Sequence, residues 1–363
     1  MCKKPSVAMI QEQGTFFGNP NDLAALSPKN DRLMQFNSVI DIAPLVAIAG
    51  QIWNGNTVNT GQGRPRWSNE VMLRVLLLKR FYNLSDENTE YALRDRLSFM
   101  RFCGLGICDK VPDQKTIWLY NELLAKSDGA RKLFDTFWET LAEKGLKIKE
   151  GMMIDATIVP VPVQRNTKEE NKMIKEGQTP PEWLAEPSKL SQKDVDAQWV
   201  KKGNESFFGY KNHTKTGAIS KLVRDYRETD ASVHDSQPAP ELIQTGDERL
   251  HADSAYVGPK IAGRLEECGV ENQVHEKGTR RGKLTEEQKR SNREKSKIRA
   301  RVEHPFAFME NSLGGIYNRC IGRNRNAHQT GMMNLCYNLW RAFFLLTKKP
   351  AWVRHAQMEM QPV

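Results

Sequence analysis

The stretch that most constrains this chain runs from Met152 to Val159, because it reads as a buried strand interrupted by one ionisable residue, Asp155. Apolar and β-branched residues bounded by Gly151 and Pro160 are typical of a central strand covered on both faces. A carboxylate in such a strand costs free energy unless a cation or backbone N–H groups meet it. Asp155 is therefore either capped by backbone N–H groups at the strand end or part of a charged site.

The length and composition favour a globular protein of two domains, or of one domain enlarged by insertions. The chain has 363 residues, of which 39% are hydrophobic and 27% charged. No apolar run approaches the roughly 20 residues that a membrane span needs, and the polar start is unlike a secretory signal. The six cysteines are scattered, which favours reduced thiols over disulfides or a zinc site.

Positive charge points to a polyanionic partner. Lys and Arg total 54 against 44 Asp and Glu, a net charge of +10. Residues 277–301 hold eleven Lys or Arg against three Glu, and residues 316–328 add three Arg. A solvated helix with internal ion pairs is the structural alternative. Because three acids cannot neutralise eleven bases, we predict a surface that faces nucleic-acid phosphates.

The chain divides into segments of different composition. Residues 64–147 alternate short helical patterns with tight turns, whereas residues 148–347 mix strand and helix patterns. Residues 164–203 are polar and charged, and we interpret them as an inserted loop or a partly disordered segment. The predicted organisation is a partly helical segment 1–63, a helical DNA-binding domain 64–147, a catalytic domain 148–347 and a tail 348–363.

The helical segment resembles a helix-turn-helix domain in its spacing. Ser85 is expected to cap one helix, and Pro112 with Asp113 to open the third. The third helix would expose four polar or aromatic side chains, Gln114, Lys115, Trp118 and Asn121. We predict DNA contact by Gln114 and Lys115, although a plain helical bundle has the same periodicity.

A third acid lies in a helical pattern from Ile298 to Gly314. An apolar stripe would pack on the sheet, while a polar stripe carrying Arg299, Glu303 and Glu310 would point towards Asp155 and a second strand-end acid, Asp253. Pro305 is expected to kink this helix. Two Asp and one Glu beside a phosphate-attracting surface suit Mg²⁺, which prefers carboxylate and phosphate oxygens.

Several short strings resemble bacterial insertion-sequence transposases of the DDE class, in the family named after insertion sequence five. Residues 64–124 are similar to the N-terminal helical domain of that family. The strings that carry the resemblance in the rest of the chain are Ile154–Thr157, Phe208–His213, Ala252–Tyr256 and Arg299–Phe306.

The resemblance implies a ribonuclease-H-like catalytic core, a mixed sheet flanked by helices. It places Asp155 on the first strand, Asp253 after the fourth and Glu303 on the following helix, where they would hold two Mg²⁺ ions, with Mn²⁺ able to substitute. Arg299 and Lys211 are expected to bind phosphate. Two further basic residues of the 277–301 segment, Lys297 and Arg301, complete the predicted DNA contacts.

One departure from the family pattern affects phosphate binding. The family has Tyr, then Arg three residues on, Glu four further and Lys seven further. This chain has Ser296, Arg299, Glu303 and Glu310. Its Tyr and Lys positions are therefore changed, and Glu310 would place an acid near DNA or pair with Arg319 or Arg323.

The function implied is that of a DNA transposase. It would bind terminal inverted repeats, cleave at the transposon ends and join the freed 3′-OH to target DNA. Double-stranded DNA is the expected partner, the protein acting as a homodimer or higher synaptic assembly in the bacterial cytoplasm, near the nucleoid. The alternatives are a structure-selective nuclease on the same core and a domesticated or inactive DNA-binding protein.

Overall fold

The computed structural model describes residues 31–55, 65–143, 150–278 and 283–348. Much of the predicted segment 1–63, four residues of the basic segment (279–282) and all but the first residue of the tail 348–363 lie outside the described residues.

Short helices form the N-terminal part of the described chain. Local signals explain several of their ends: Ser85 accepts a hydrogen bond from the Asn88 N–H at 3.1 Å, and Asp113 accepts one from the Thr116 N–H at 2.8 Å. The helices are α1 (Arg32–Val39), α2 (Ala43–Gly55), α3 (Asn69–Phe81), α4 (Asp86–Asp95), α5 (Leu97–Cys103), α6 (Gln114–Lys126) and α7 (Gly129–Glu143).

A mixed six-stranded sheet follows. Its strands are β1 (Met152–Pro160), β2 (Gln198–Lys202), β3 (Glu205–Gly217), β4 (Val223–Asp230), β5 (Arg249–His251) and β6 (Glu271–Asn272). The long β3 pairs antiparallel with β1, β2 and β4, whereas β1, β5 and β6 run parallel to one another. With β2 set aside as part of the insertion, the order β4-β3-β1-β5-β6 confirms the predicted ribonuclease-H-like core.

The polar segment 164–203 is folded, which corrects its interpretation as a loop. Thr167 and Glu170 form a capping box at the start of the first of its helices. Trp183 is fully buried, and its Nε1 donates to Glu170 Oε1 at 2.7 Å. The segment contains α8 (Lys168–Lys175), α9 (Pro181–Ala185), α10 (Pro187–Leu190) and β2.

The predicted helix Ile298–Gly314 is interrupted. A 3₁₀ turn at Ala300–Val302 separates two α-helices, so Pro305 falls in the first turn of the second, where no intrahelical N–H bond is lost. The remaining helices are α11 (Ala239–Leu242), a 3₁₀ turn (Ser254–Tyr256), α12 (Pro259–Cys268), α13 (Glu286–Arg299), α14 (Glu303–Ser312) and α15 (Arg323–Lys348).

Helix α15 joins the helical part to the sheet. One hydrophobic core runs from α1 and α2 through α3–α7 to α15 and one face of the sheet, so the helices on either side of residue 64 share it. On the sheet side, the amides of Asn334 and Asn212 exchange hydrogen bonds of 3.0 and 3.1 Å. Asn338 bonds both the N–H and the carbonyl of Val223 at 2.8 Å, as a neighbouring strand would.

No single helix within the described segments is long and apolar enough to span a membrane. Helices α1 and α2 pass the length and composition test only as a pair, with an 89° bend between them.

Candidate active site

Asp155 lies in the middle of β1, on the sheet face that Met153 also occupies, because alternate residues of a strand share a face. Met153 packs there against Val302 of the 3₁₀ turn. Asp155 Oδ1 accepts from the Ala156 N–H at 2.8 Å. Burial raises the pKa of the Asp155 carboxyl, and the negative charge of Asp253 adds to the rise, while the Ala156 N–H and the Arg299 guanidinium oppose it.

Asp253 lies next to Asp155 because of the strand register. Met153 pairs with His251 in the parallel β1–β5 ladder, and Asp155 and Asp253 each follow two residues later, both within 4 Å of the same Arg299 nitrogen. Asp253 Oδ1 also caps the following 3₁₀ turn by accepting from the Ala255 N–H at 2.8 Å. Two acids from distant parts of the sequence thus meet where the β1–β5 ladder ends, Asp155 on β1 and Asp253 just after β5.

Arg299, the last residue of α13, lies between these two acids. Its Nη2 donates to Asp155 Oδ2 at 3.2 Å and is 3.9 Å from Asp253 Oδ2. Its buried Nε has no hydrogen-bond partner among the described residues. The side chain that we predicted to bind phosphate is therefore held by the carboxylate pair.

Glu303 does not join the pair, contrary to the predicted convergence. It is exposed at the start of α14. A 3₁₀ turn with about 3.0 residues per turn rather than about 3.6 separates it from Arg299, so the helical spacing on which the predicted common face depended is interrupted. Within the described ranges, no three His, Cys, Asp or Glu side chains are grouped closely enough to hold a metal ion.

Three residues near the pair escaped prediction. The buried Tyr256 hydroxyl has no partner in the described part of the chain, and burial together with Asp155 and nearby acids raises its pKa well above the usual range. Asp235 is one of those acids. His275 Nε2 lies 3.3 Å from the Oγ of Ser296, the residue that stands where the family has Tyr. Of these three residues, only Tyr256 could have been found from the sequence, because it ends the Ala252–Tyr256 string that carries the family resemblance.

The residues of the catalytic domain that we predicted to contact DNA differ in their exposure and in the hydrogen bonds that they already make. Lys211 Nζ donates to the Val233 carbonyl at 2.7 Å and pairs with Asp235 at 2.8 Å, so it holds the loop after β4. Arg301 is exposed but donates to the Ala218 carbonyl at 3.2 Å. Lys297 is exposed on α13, a helix with no buried residue.

Helix α6 presents part of the predicted recognition surface. Gln114, Lys115 and Trp118 are exposed, and 47% of Trp118 is accessible. Asn121 differs from the prediction, because its Oδ1 lies 3.1 Å from Nε2 of His328 on α15. The exposed part of the predicted recognition surface therefore lies in the N-terminal half of α6.

Glu310 contacts the chain backbone. Its Oε2 accepts from the Ile316 N–H at 3.2 Å, which supports the turn after α14. Arg319, one of its two predicted partners, instead donates to the carbonyl and side-chain oxygens of Asn83.

We expect Glu310→Lys to lower the free energy of unfolding by about 1 kcal/mol, because the Ile316 N–H loses its acceptor. Glu310→Gln is the matched control, since it removes the charge and keeps the acceptor oxygen. Thermal unfolding compares the two variants. Equal melting temperatures, with tighter DNA binding by both, would instead indicate that Glu310 faces DNA.

Asp155 and Asp253 fit a divalent cation. Both are oxygen donors, and Mg²⁺ is commonly held by one or two carboxylates together with water and substrate phosphate. A cationic group already lies against both, which shows that the position between them favours positive charge. Arg299 would have to leave that position for a metal to enter.

Comparison with known proteins identifies the class. Residues 147–339 match the family described as "Transposase DDE domain", and residues 21–122 match "Transposase domain (DUF772)". A solved structure, the piggyBac transposase synaptic complex with hairpin DNA, is similar at 10% identity and a TM-score of 0.44, over 90% of this chain and 79% of that one.

The family match covers more than half of the chain, which therefore belongs to the DDE transposases. It is a DNA transposase of the insertion-sequence kind, and proteins with this domain generally use divalent metal ions. Its assignment to the family named after insertion sequence five stays a prediction.

Proposed function

We propose that this transposase binds the terminal inverted repeats of its own element, cleaves there and joins the freed 3′-OH to target DNA by Mg²⁺-dependent transesterification. The observation that carries the proposal is the proximity of Asp155, on β1, and Asp253, just after β5, with one cationic group against both.

Asp155 and Asp253 would hold the metal, and Glu303 would complete the site after the 3₁₀ turn rearranges. The two divalent ions proposed there would supply Lewis-acid polarisation of phosphate oxygens and activation of the attacking water or hydroxyl. The carboxylates would set the position of the reaction, because Asp155 lies on β1 and Asp253 directly follows the neighbouring β5.

The basic α13 would lead DNA to this position. It carries six Lys or Arg against three Glu, and although Lys289, Lys295 and Arg299 lie in ion pairs, Lys297 is exposed. Phosphates attract such a helix without regard to base sequence. This helix would therefore supply general affinity, and sequence recognition must come from elsewhere.

End recognition is assigned to the exposed N-terminal half of α6. Gln114 and Lys115 occupy its first turn, where a recognition helix presents side chains to the major groove. Because the two transposon ends must be held together, we propose a homodimer or larger synaptic assembly, with each protomer on one end.

Substitutions on α6 test this assignment. Lys115→Ala should weaken binding to end DNA and reduce the slope of log affinity against log salt by about 1. Gln114→Ala should reduce discrimination between end and scrambled DNA by about 1–3 kcal/mol. Lys126→Ala, at the exposed far end of the same helix, is the control. Equal losses with Lys126→Ala would remove α6 from end recognition.

A strand-transfer assay with the element's ends and a target plasmid tests the function itself. Joined product in Mg²⁺ or Mn²⁺ supports the proposal. Cut DNA without joining would indicate a structure-selective nuclease, and a shifted band without either product would indicate a DNA-binding protein that has lost activity.

A further inference from the structure

The Arg299 guanidinium lies where a metal ion would contact both acids. It is a permanent cation, with Nη2 at 3.2 Å from Asp155 and 3.9 Å from Asp253. Two carboxylates this close repel each other. Arg299 therefore offsets their repulsion in the structure as it stands.

The Arg299 guanidinium uses only part of its hydrogen-bonding capacity. Only one of its nitrogens makes a hydrogen bond to the pair, and the buried Nε makes none with any described residue. A two-bond fork between guanidinium and carboxylate would be stronger. The side chain is also 26% exposed, and it extends from a helix with no buried residue, so it can leave without repacking a core.

We propose that Arg299 is a removable counter-ion of the Asp155–Asp253 pair. It keeps the two carboxylates together until a divalent cation displaces it, and the displaced guanidinium then lies beside the site, facing substrate phosphate. The exchange follows from Coulomb's law, because a divalent ion at the same place interacts more strongly with both acids than a single delocalised charge does. This inference rests on the proposed metal-binding role of the pair.

Metal affinity measures the competition directly. Mn²⁺ binding to the full chain without DNA can be followed by the electron paramagnetic resonance signal of free Mn²⁺. Arg299→Gln should bind Mn²⁺ about three- to tenfold more tightly than the unaltered protein, since no partly exposed ion pair has to be broken. Asp155→Asn should lose this binding, which identifies the site being measured.

Lys297→Gln is the matched control. It removes the same charge from an exposed position of the same helix, two residues earlier, and we expect little change in Mn²⁺ affinity. An equal tightening in both variants, or none in Arg299→Gln, would overturn the counter-ion role and leave the proposed metal site intact. No Mn²⁺ binding by the unaltered protein would overturn the metal site, and this inference with it.

Chemical labelling gives a second measurement that needs no variant. Phenylglyoxal reacts with free guanidinium groups, and peptide mass spectrometry reports each site. Labelling of Arg299 should rise when Mg²⁺ is added, relative to NaCl of equal ionic strength, while labelling of Arg301 stays constant. Unchanged labelling of Arg299 under Mg²⁺ concentrations that saturate the site would contradict displacement.

Discussion

Asp155→Asn and Asp253→Asn are each expected to lower DNA cleavage and joining by at least about a hundredfold while binding to end DNA stays nearly unchanged. An amide keeps the shape of the side chain but loses the charge that a divalent ion needs. Changing even the outer partners of metal ligands typically costs about 10–100-fold, so a direct ligand should cost more. Gel assays of cleavage, joining and end binding measure all three.

Glu248→Gln provides the control for these variants. It removes a carboxylate from an exposed position just before β5 and should keep full activity.

Glu303→Gln is expected to abolish cleavage and joining as well, because we propose that Glu303 completes the site. Near-normal activity of Glu303→Gln would leave Asp155 and Asp253 as the proposed ligands and show that α14 does not turn inward.

Phe36→Ala is expected to lower the free energy of unfolding by about 3–5 kcal/mol, the range for removing a buried aromatic ring. Phe36, on α1, is fully buried, with ring centroids 5.6 Å from Phe81 and 5.1 Å from Trp340 of α15. Loss of this ring opens a cavity where the N-terminal helices meet α15. Denaturant unfolding measures the change.

The exposed Trp118→Ala is the control for Phe36→Ala, because surface substitutions usually stay within about 0.5 kcal/mol. A small effect of Phe36→Ala would mean that α1 is not part of the cooperative core. In that case the first helices would unfold separately from α15 and the sheet.

Much of this protein was determined by short stretches of sequence. The helix starts at Ser85 and Asp113 depend on a hydrogen bond between a side chain and an N–H group three residues away. A short stretch of sequence is therefore enough to predict them. The sheet likewise follows from apolar strands and turns. The resemblance also predicted that Asp155 lies on a strand and that Asp253 follows one. It could do so because the residues next to these acids in the sequence form those strands.

Other features depend on contacts between distant residues, and only the tertiary structure decided them. Residues 164–203 look polar, yet Trp183 is buried among them with Glu170 and Lys193, and Asp194 accepts from the Tyr210 hydroxyl of β3. Helical periodicity placed Glu303 on the face of Arg299, but a 3₁₀ turn interrupts the helix between them, and Val302 of that turn packs with Met153 of the sheet. Arg299 meets Asp155 across 144 positions of sequence, a proximity that no local pattern can indicate, because it depends on how α13 lies against the sheet.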